Sequence, residues 1–179
     1  KLNIALKLAE IGHDFHNSNT MRIITADPLS PIHHSEFNIH ESSFPILRGN
    51  PPSSILVTNS NEWISRLDRG DDEVRGYVRA NGQELGERKT WLHDDYVKFI
   101  RLAQWHVEQA GCGIVGYVTN HGYLDNTTFR LMRHELLRVF PHIEIVDLHG
   151  NRRARGVGFQ PAVADENVFG LDQGIALSL

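Results

Sequence analysis

Cysteine is almost absent from this 179-residue chain: Cys112 stands alone, so no internal disulfide framework can form, and the usage fits a reducing cytoplasm. No apolar run reaches about eighteen residues and no signal-peptide pattern is present, which predicts a cytoplasmic protein without a membrane span. An excess of positive charge is lacking too. Eighteen Lys and Arg face 22 Asp and Glu, a net charge of −4, so any contact with a polyanion must be local. There is no Gly-x-Ser-x-Gly elbow, no Cys/His nucleophilic arrangement and no acidic cluster with lysine, which argues against a hydrolase or nuclease. His33, His34 and His40 have no acidic or cysteine partner at ligand spacing, so no metal site is predicted. Gly111-Cys112-Gly113 precedes a strand instead of following one, the wrong context for a cofactor loop. A chain opening on Lys1, with no apolar strand and glycine-rich turn ahead of its first helix, reads as a fragment truncated at its N-terminus.

What is there alternates between strand and helix. Leu2, Ile4, Leu8 and Ile11 mark a helix stopped by Gly12; Met21 to Thr25 form a strand ended by Asp27-Pro28. Phe44 to Leu47 form a second strand. Glu62 to Leu67 predict one or two helical turns, and Tyr77-Val78-Arg79 before Asn81-Gly82 a small hairpin, within a polar insertion at about 53–92. Asp94 caps a helix carrying Tyr96, Val97, Phe99, Ile100, Ala103 and Val107 and ending at Gly111. A strand from Gly113 to Val118, a helix from Asn126 or Thr127 to Pro141 and a strand from Ile143 to Leu148 follow. Val168-Phe169 and Ile175 to Leu177 read as a last antiparallel pair. Residues 1–179 are therefore expected to be one α/β domain on a largely parallel sheet, without repeats. Such sheets bind ligands at the carboxyl ends of their strands, which puts Asp27, Asn50 to Ser53, Asn120 to Tyr123 and His149 to Asn151 along one edge.

The most informative stretch is Gly49-Asn50-Pro51-Pro52-Ser53, where the second strand stops. Two prolines fix φ and remove two backbone donors, so the carbonyls of Asn50 and Pro51 stand out as acceptors, and the Asn50 side chain adds an oxygen. An amine with two hydrogens, such as that of a nucleobase, can donate one to Asn50 and one to Pro51. Both bonds pull its nitrogen towards tetrahedral geometry and free the lone pair for attack on a methyl group. Arg152, Arg153 and Arg155 form the one dense basic cluster, which reads either as a solvated run or as a phosphate contact.

This motif resembles the asparagine-proline-proline-aromatic motif of DNA methyltransferases that modify base amino groups. Asp94 to Arg101, Val118 to Asn126, Asp147 to Asn151 and Asp165 to Phe169 resemble, in the same order, the adenine-specific methyltransferase segment of the Type ISP restriction-modification enzymes. The resemblance implies a Rossmann-like sheet, here its C-terminal, catalytic part, and S-adenosylmethionine as cofactor. It implies double-stranded DNA as partner, with the front of the fold and the target-recognition segment elsewhere in a parent chain. It gives Asn50, Pro51, Pro52 and Ser53 the catalytic positions and Asn50 and Asp27 cofactor contacts, with Asp27 on the adenine ring of the cofactor. Tyr123, His149, Arg152, Arg153 and Arg155 become candidates for substrate and DNA. One departure stands out: the motif's aromatic residue, which stacks on the extruded base, is Ser53 here. Base stacking is worth about 1–3 kcal/mol, so either another ring, Tyr123 or His149, covers the base, or the chain is a catalytically inactive DNA-binding or structural remnant. Cytosine remains a related target, because the same acceptors serve its amine.

Overall fold

The computed structural model describes residues 20–26, 43–52, 62–80, 83–84, 94–150 and 174–178. The expected helix near residues 2–11, the three histidines of residues 33–40, and Val168-Phe169 lie outside them, as do Asp27, Ser53, Arg152, Arg153 and Arg155. In chain order the elements are β1 (Thr20–Ala26), β2 (Ser43–Gly49), α1 (Glu62–Arg69), β3 (Arg79–Ala80), β4 (Gln83–Glu84), α2 (Asp95–Ala110) and β5 (Ile114–Asn120). There follow α3 (Gly122–Asp125), a 3-10 turn (Thr127–Phe129), α4 (Arg130–Val139), β6 (Ile145–Asp147) and β7 (Ile175–Ser178). No helix among the described residues is long and apolar enough to cross a membrane.

The main sheet has the order β1-β2-β5-β7-β6. β1, β2 and β5 run parallel, as the alternation of elements predicts; β7 runs antiparallel to both neighbours, so the sheet is mixed. β3 and β4 pair as the small hairpin expected around Asn81-Gly82. Because β7 lies antiparallel between β5 and β6, the carboxyl ends of β2, β5 and β6 and the amino end of β7 share one edge.

Strand alternation divides the core. Leu47 of β2 and Tyr117 of β5 face α2 in the main cluster, whereas Phe44 and Ile46 pack with Cys112 and Ile114 in a smaller one. The helix α2 organises the main cluster: every residue from Asp95 to Gln104 is buried, including the polar ones. Apolar periodicity accounts for the stripe of Val97, Ile100 and Val107. It does not account for the burial of the opposite face, which α1 and the following turn cover with Ile64, Leu67 and Tyr77. Arg101 and Gln104, buried there, are hydrogen-bonded. Arg101 donates to the carbonyls of Leu67 (3.1 Å) and Arg75 (2.8 Å), and Gln104 accepts from the Tyr77 hydroxyl at 2.8 Å. Thus part of the stretch read as an insertion supplies core residues.

The cover over α2 depends on a backbone crossing without side chains. The Gly76 N–H donates to Arg79 O at 2.9 Å, and a Cβ on Gly76 would lie 2.2 Å from the Gly70 nitrogen. Neither partner is a flexible side-chain end, so the crossing must open to admit a methyl group. Gly76→Ala is expected to destabilise by about 2 kcal/mol, within the range for overpacked sites, read as a lower urea midpoint at unchanged slope.

Candidate functional site at the carboxyl edge

The β2–β5 ladder ends at Gly49 opposite Tyr117. It ends there because Pro51 and Pro52 carry no N–H to continue it. β5 runs on for three more residues, to Asn120, and so flanks the loop. Asn50 is exposed, Pro51 buried and Pro52 half-buried. A buried proline therefore anchors the loop while the asparagine amide next to it faces outward. Of the predicted catalytic set only Ser53 lies outside the described residues.

β5 leaves the sheet through Asn120, whose side-chain oxygen accepts the Gly122 N–H at 2.7 Å. This turn starts α3 and carries Tyr123 inward. Tyr123 is 4% exposed, with its ring 6.5 Å from that of Tyr96. Burial raises the pKa of its hydroxyl, which is held in the protonated form. Tyr96 and Tyr117 are buried likewise, and burial raises their hydroxyls too. Tyr123 is thus a core residue whose face is not presented to solvent. His149, by contrast, is exposed at the end of β6 with φ 62°. β6 lies three strand positions from β2, a lateral separation of about 14 Å at the usual strand spacing of about 4.8 Å. The two residues proposed as stand-ins for the missing ring are therefore one buried and one distant.

The structure joins two segments that the sequence left apart. His121, just past β5, places Nδ1 3.2 Å from Asp147 Oδ1 at the end of β6. The same oxygen accepts the His149 N–H at 2.9 Å. Burial alone would raise the Asp147 carboxyl; the His149 N–H and His121 outweigh it and hold the group below its usual range. The signal available in the sequence was an Asn-His-Gly turn after one strand and an Asp two residues before a His-Gly after the next. Nothing in either says that they meet, because 26 residues separate them.

An open groove of about 560 Å³ lies elsewhere, lined by Glu73, Arg75, Arg101, Trp105, Glu108 and Arg138 among others. It follows the C-terminal half of α2, which leads into the start of β5, so it sits at the opposite edge from Asn50. Its charges are paired internally: Arg75 and Arg138 hold Glu135, and Arg101 and Arg138 hold Glu108. These groups stabilise the packing of α4 on α2 and leave no surplus charge for a ligand.

Among the described residues, Asn50 offers an exposed amide to an amine or to a methyl donor, but no glycine-rich turn follows a parallel strand. The methionine and ribose portions of such a donor have no holder among them.

No family model matches the chain and no curated protein matches it. Solved structures do. A cryo-electron-microscopy structure of a DrdV–DNA complex matches with 28% identity and a TM-score of 0.57, over 74% of this chain and 13% of that one. The ATP-dependent Type ISP restriction-modification enzyme LlaBIII bound to DNA matches with a TM-score of 0.59 at 22% identity, over 74% of this chain and 9% of that one, a likeness of fold. A nuclease-deletion mutant of the Type ISP restriction-modification enzyme LlaGI, in complex with a DNA substrate mimic, matches with 25% identity and a TM-score of 0.54. It covers 74% of this chain and 11% of that one. The chain is thus similar to small segments, about a tenth of the length, of DrdV and of two Type ISP restriction-modification enzymes, each determined with DNA.

Proposed function

We propose that the chain is part of a restriction-modification protein that transfers a methyl group from S-adenosylmethionine to the exocyclic amine of adenine in double-stranded DNA. The reading rests on one observation above all: Asn50-Pro51-Pro52 closes a parallel strand with the asparagine exposed, the first proline buried, and the whole loop on the carboxyl edge. The likeness to segments of a Type ISP restriction-modification enzyme and of DrdV, both determined with DNA, supports it.

The target base leaves the duplex stack at a cost of a few kcal/mol. Its amine donates one hydrogen to the Asn50 side-chain oxygen and the other to the Pro51 carbonyl. That geometry draws the nitrogen lone pair out of conjugation with the ring and aims it outward. When bound, S-adenosylmethionine supplies an already activated methyl group on a sulfonium. The residues of this chain contribute position and electrostatics, and Pro52 keeps the loop from relaxing. Adenine is favoured over cytosine by the sequence resemblance, since the acceptor pair serves either amine. The Rossmann-like cofactor half, the target-recognition segment and an Asp27 contact to the cofactor adenine belong to this proposal, as does action in the cytoplasm. Asn50 would also adjoin the cofactor, and Arg152, Arg153 and Arg155 would meet DNA phosphates.

The test uses the natural full-length polypeptide that contains residues 1–179. Incubated with duplex DNA and methyl-labelled S-adenosylmethionine, it is expected to yield N6-methyladenine after digestion. A second reading has its own observation. Ser53 supplies no ring, Tyr123 is buried, and His149 stands about 14 Å away along the edge. DNA binding that weakens steeply with salt, without label in any base, would favour a non-catalytic DNA-binding remnant.

A further inference from the structure

Exposed large apolar side chains are few among the described residues, and they are not scattered: Leu137, Ile143, Ile145 and Val146 all fall in one stretch, from the last turn of α4 through β6. β6 stands at the end of the sheet order, paired with β7 on one side and with no described strand on the other. Ile145 is 44% exposed and Val146 52%. Successive side chains of a strand point to opposite faces, so both faces of the sheet leave an apolar side chain half in water at β6. One strand further in, Ile175 and Ala176 of β7 are buried.

The backbone of β6 is open as well. The Leu148 N–H donates to Ile175 O at the start of β7, at 2.8 Å. Antiparallel pairing alternates along the strand, so the N–H and C=O of Ile145 and Asp147 face away from β7, toward the free edge. An edge that stays in water is ordinarily blunted by lysine, proline or a bulge; Ile143 to Asp147 contain neither lysine nor proline. An apolar strand with open donors and acceptors is a template for a further strand.

We propose that β6 docks a segment of the parent polypeptide outside residues 1–179, which adds an extended strand to this edge and lays apolar side chains against Ile145 on one face and Val146 on the other. The proposal rests on the reading above that the chain is part of a larger restriction-modification protein. The size of the patch selects this occupant over a second copy. β6 has three residues and spans about 10 Å. Two copies joined along it would bury on the order of a few hundred Å², short of the roughly 1,200 Å² of a specific interface. A segment of the same polypeptide needs far less area. Its effective concentration at the edge is about millimolar, so contacts too weak to recruit a separate molecule keep it in place. The similar proteins have ample chain for such a segment: the parts matched in DrdV and in LlaGI are 13% and 11% of those chains.

The test uses the natural full-length polypeptide carrying a photoreactive benzoylphenylalanine in place of Val146 and, separately, of Ile145. Irradiation, digestion and mass spectrometry are expected to show, from either position, an intramolecular crosslink to a segment outside residues 1–179. In the unsubstituted full-length protein, the Ile145 and Asp147 amides should exchange with solvent at least about tenfold more slowly than unstructured amides, because the added strand accepts from them. Crosslinks that join two copies or stay within residues 1–179, or none at both positions, would overturn the proposal. Unprotected Ile145 and Asp147 amides would overturn it too, and that measurement needs no variant to fold. A protein that gives the expected crosslink and protection without transferring methyl defeats only the catalytic reading; methyl transfer without them defeats only this one.

Discussion

Asn50→Ala in the full-length protein is expected to lower methyl transfer by at least about a hundredfold while leaving the affinity for DNA within about threefold; loss of one preorganised polar contact to a reacting centre has effects of that size. The split follows from where Asn50 acts. In the proposed mechanism its oxygen meets the amine only after the base has left the duplex, and would therefore contribute little to holding DNA and much to the reacting nitrogen. Asn50 is exposed, so the substitution removes no packing, and stability should change by less than about 0.5 kcal/mol. Asn50→Asp keeps an oxygen acceptor and should retain part of the activity. Initial-rate measurements with labelled cofactor, with an unfolding curve for each variant, check all three statements. A rate for Asn50→Ala equal to the wild type would remove the amine-holding role from this loop.

Glu135→Ala is the variant expected to cost most stability, about 3 kcal/mol, at the lower end of the range for breaking a buried ion pair. The Glu135 side chain is 1% exposed and accepts from Arg75 at 2.6 and 2.9 Å and from Arg138 at 2.9 Å, with His134 at 3.2 Å. Burial would raise its carboxyl, but the hydrogen bonds from Arg75, Arg138 and His134 dominate and bring it down from the ordinary 4.5 to about 2. A carboxyl whose folded pKa is depressed stabilises the fold fully above its unfolded value and loses that contribution as pH falls through the folded one. The window is therefore pH 4.5 down to about 2, and the amount at stake is about 3 kcal/mol. Urea titrations at pH 7 and at points below 4.5 should show the wild type converging on Glu135→Gln as acid is added. Parallel curves at every pH would mean that the network contributes nothing through Glu135.

Sequence and structure divide these features unevenly. Asn50-Pro51-Pro52 announced the end of β2, because missing N–H groups and a fixed φ are properties of the residues themselves. The helix from Asp95 to Ala110, its stop at Gly111 and the hairpin at Asn81-Gly82 were legible for the same reason. Tyr123 was legible in part: a ring beside a strand end packs more often than it stacks on a base, and the inward turn made by Asn120 and Gly122 puts it in the core. Arg101 and Gln104 lie off the apolar stripe of their helix, and their burial follows from the cover supplied by α1 and Tyr77.

The sequence by itself determined where most of the described strands and helices start and stop, since that depends on residues within a few positions of one another. The tertiary structure alone decided that β7 runs antiparallel between β5 and β6, that Glu135 is buried between Arg75 and Arg138, and that His121 meets Asp147. Each of those depends on which distant surfaces come into contact. The gain from burying them together, against the entropy of closing the intervening loops, is not a property of any local stretch.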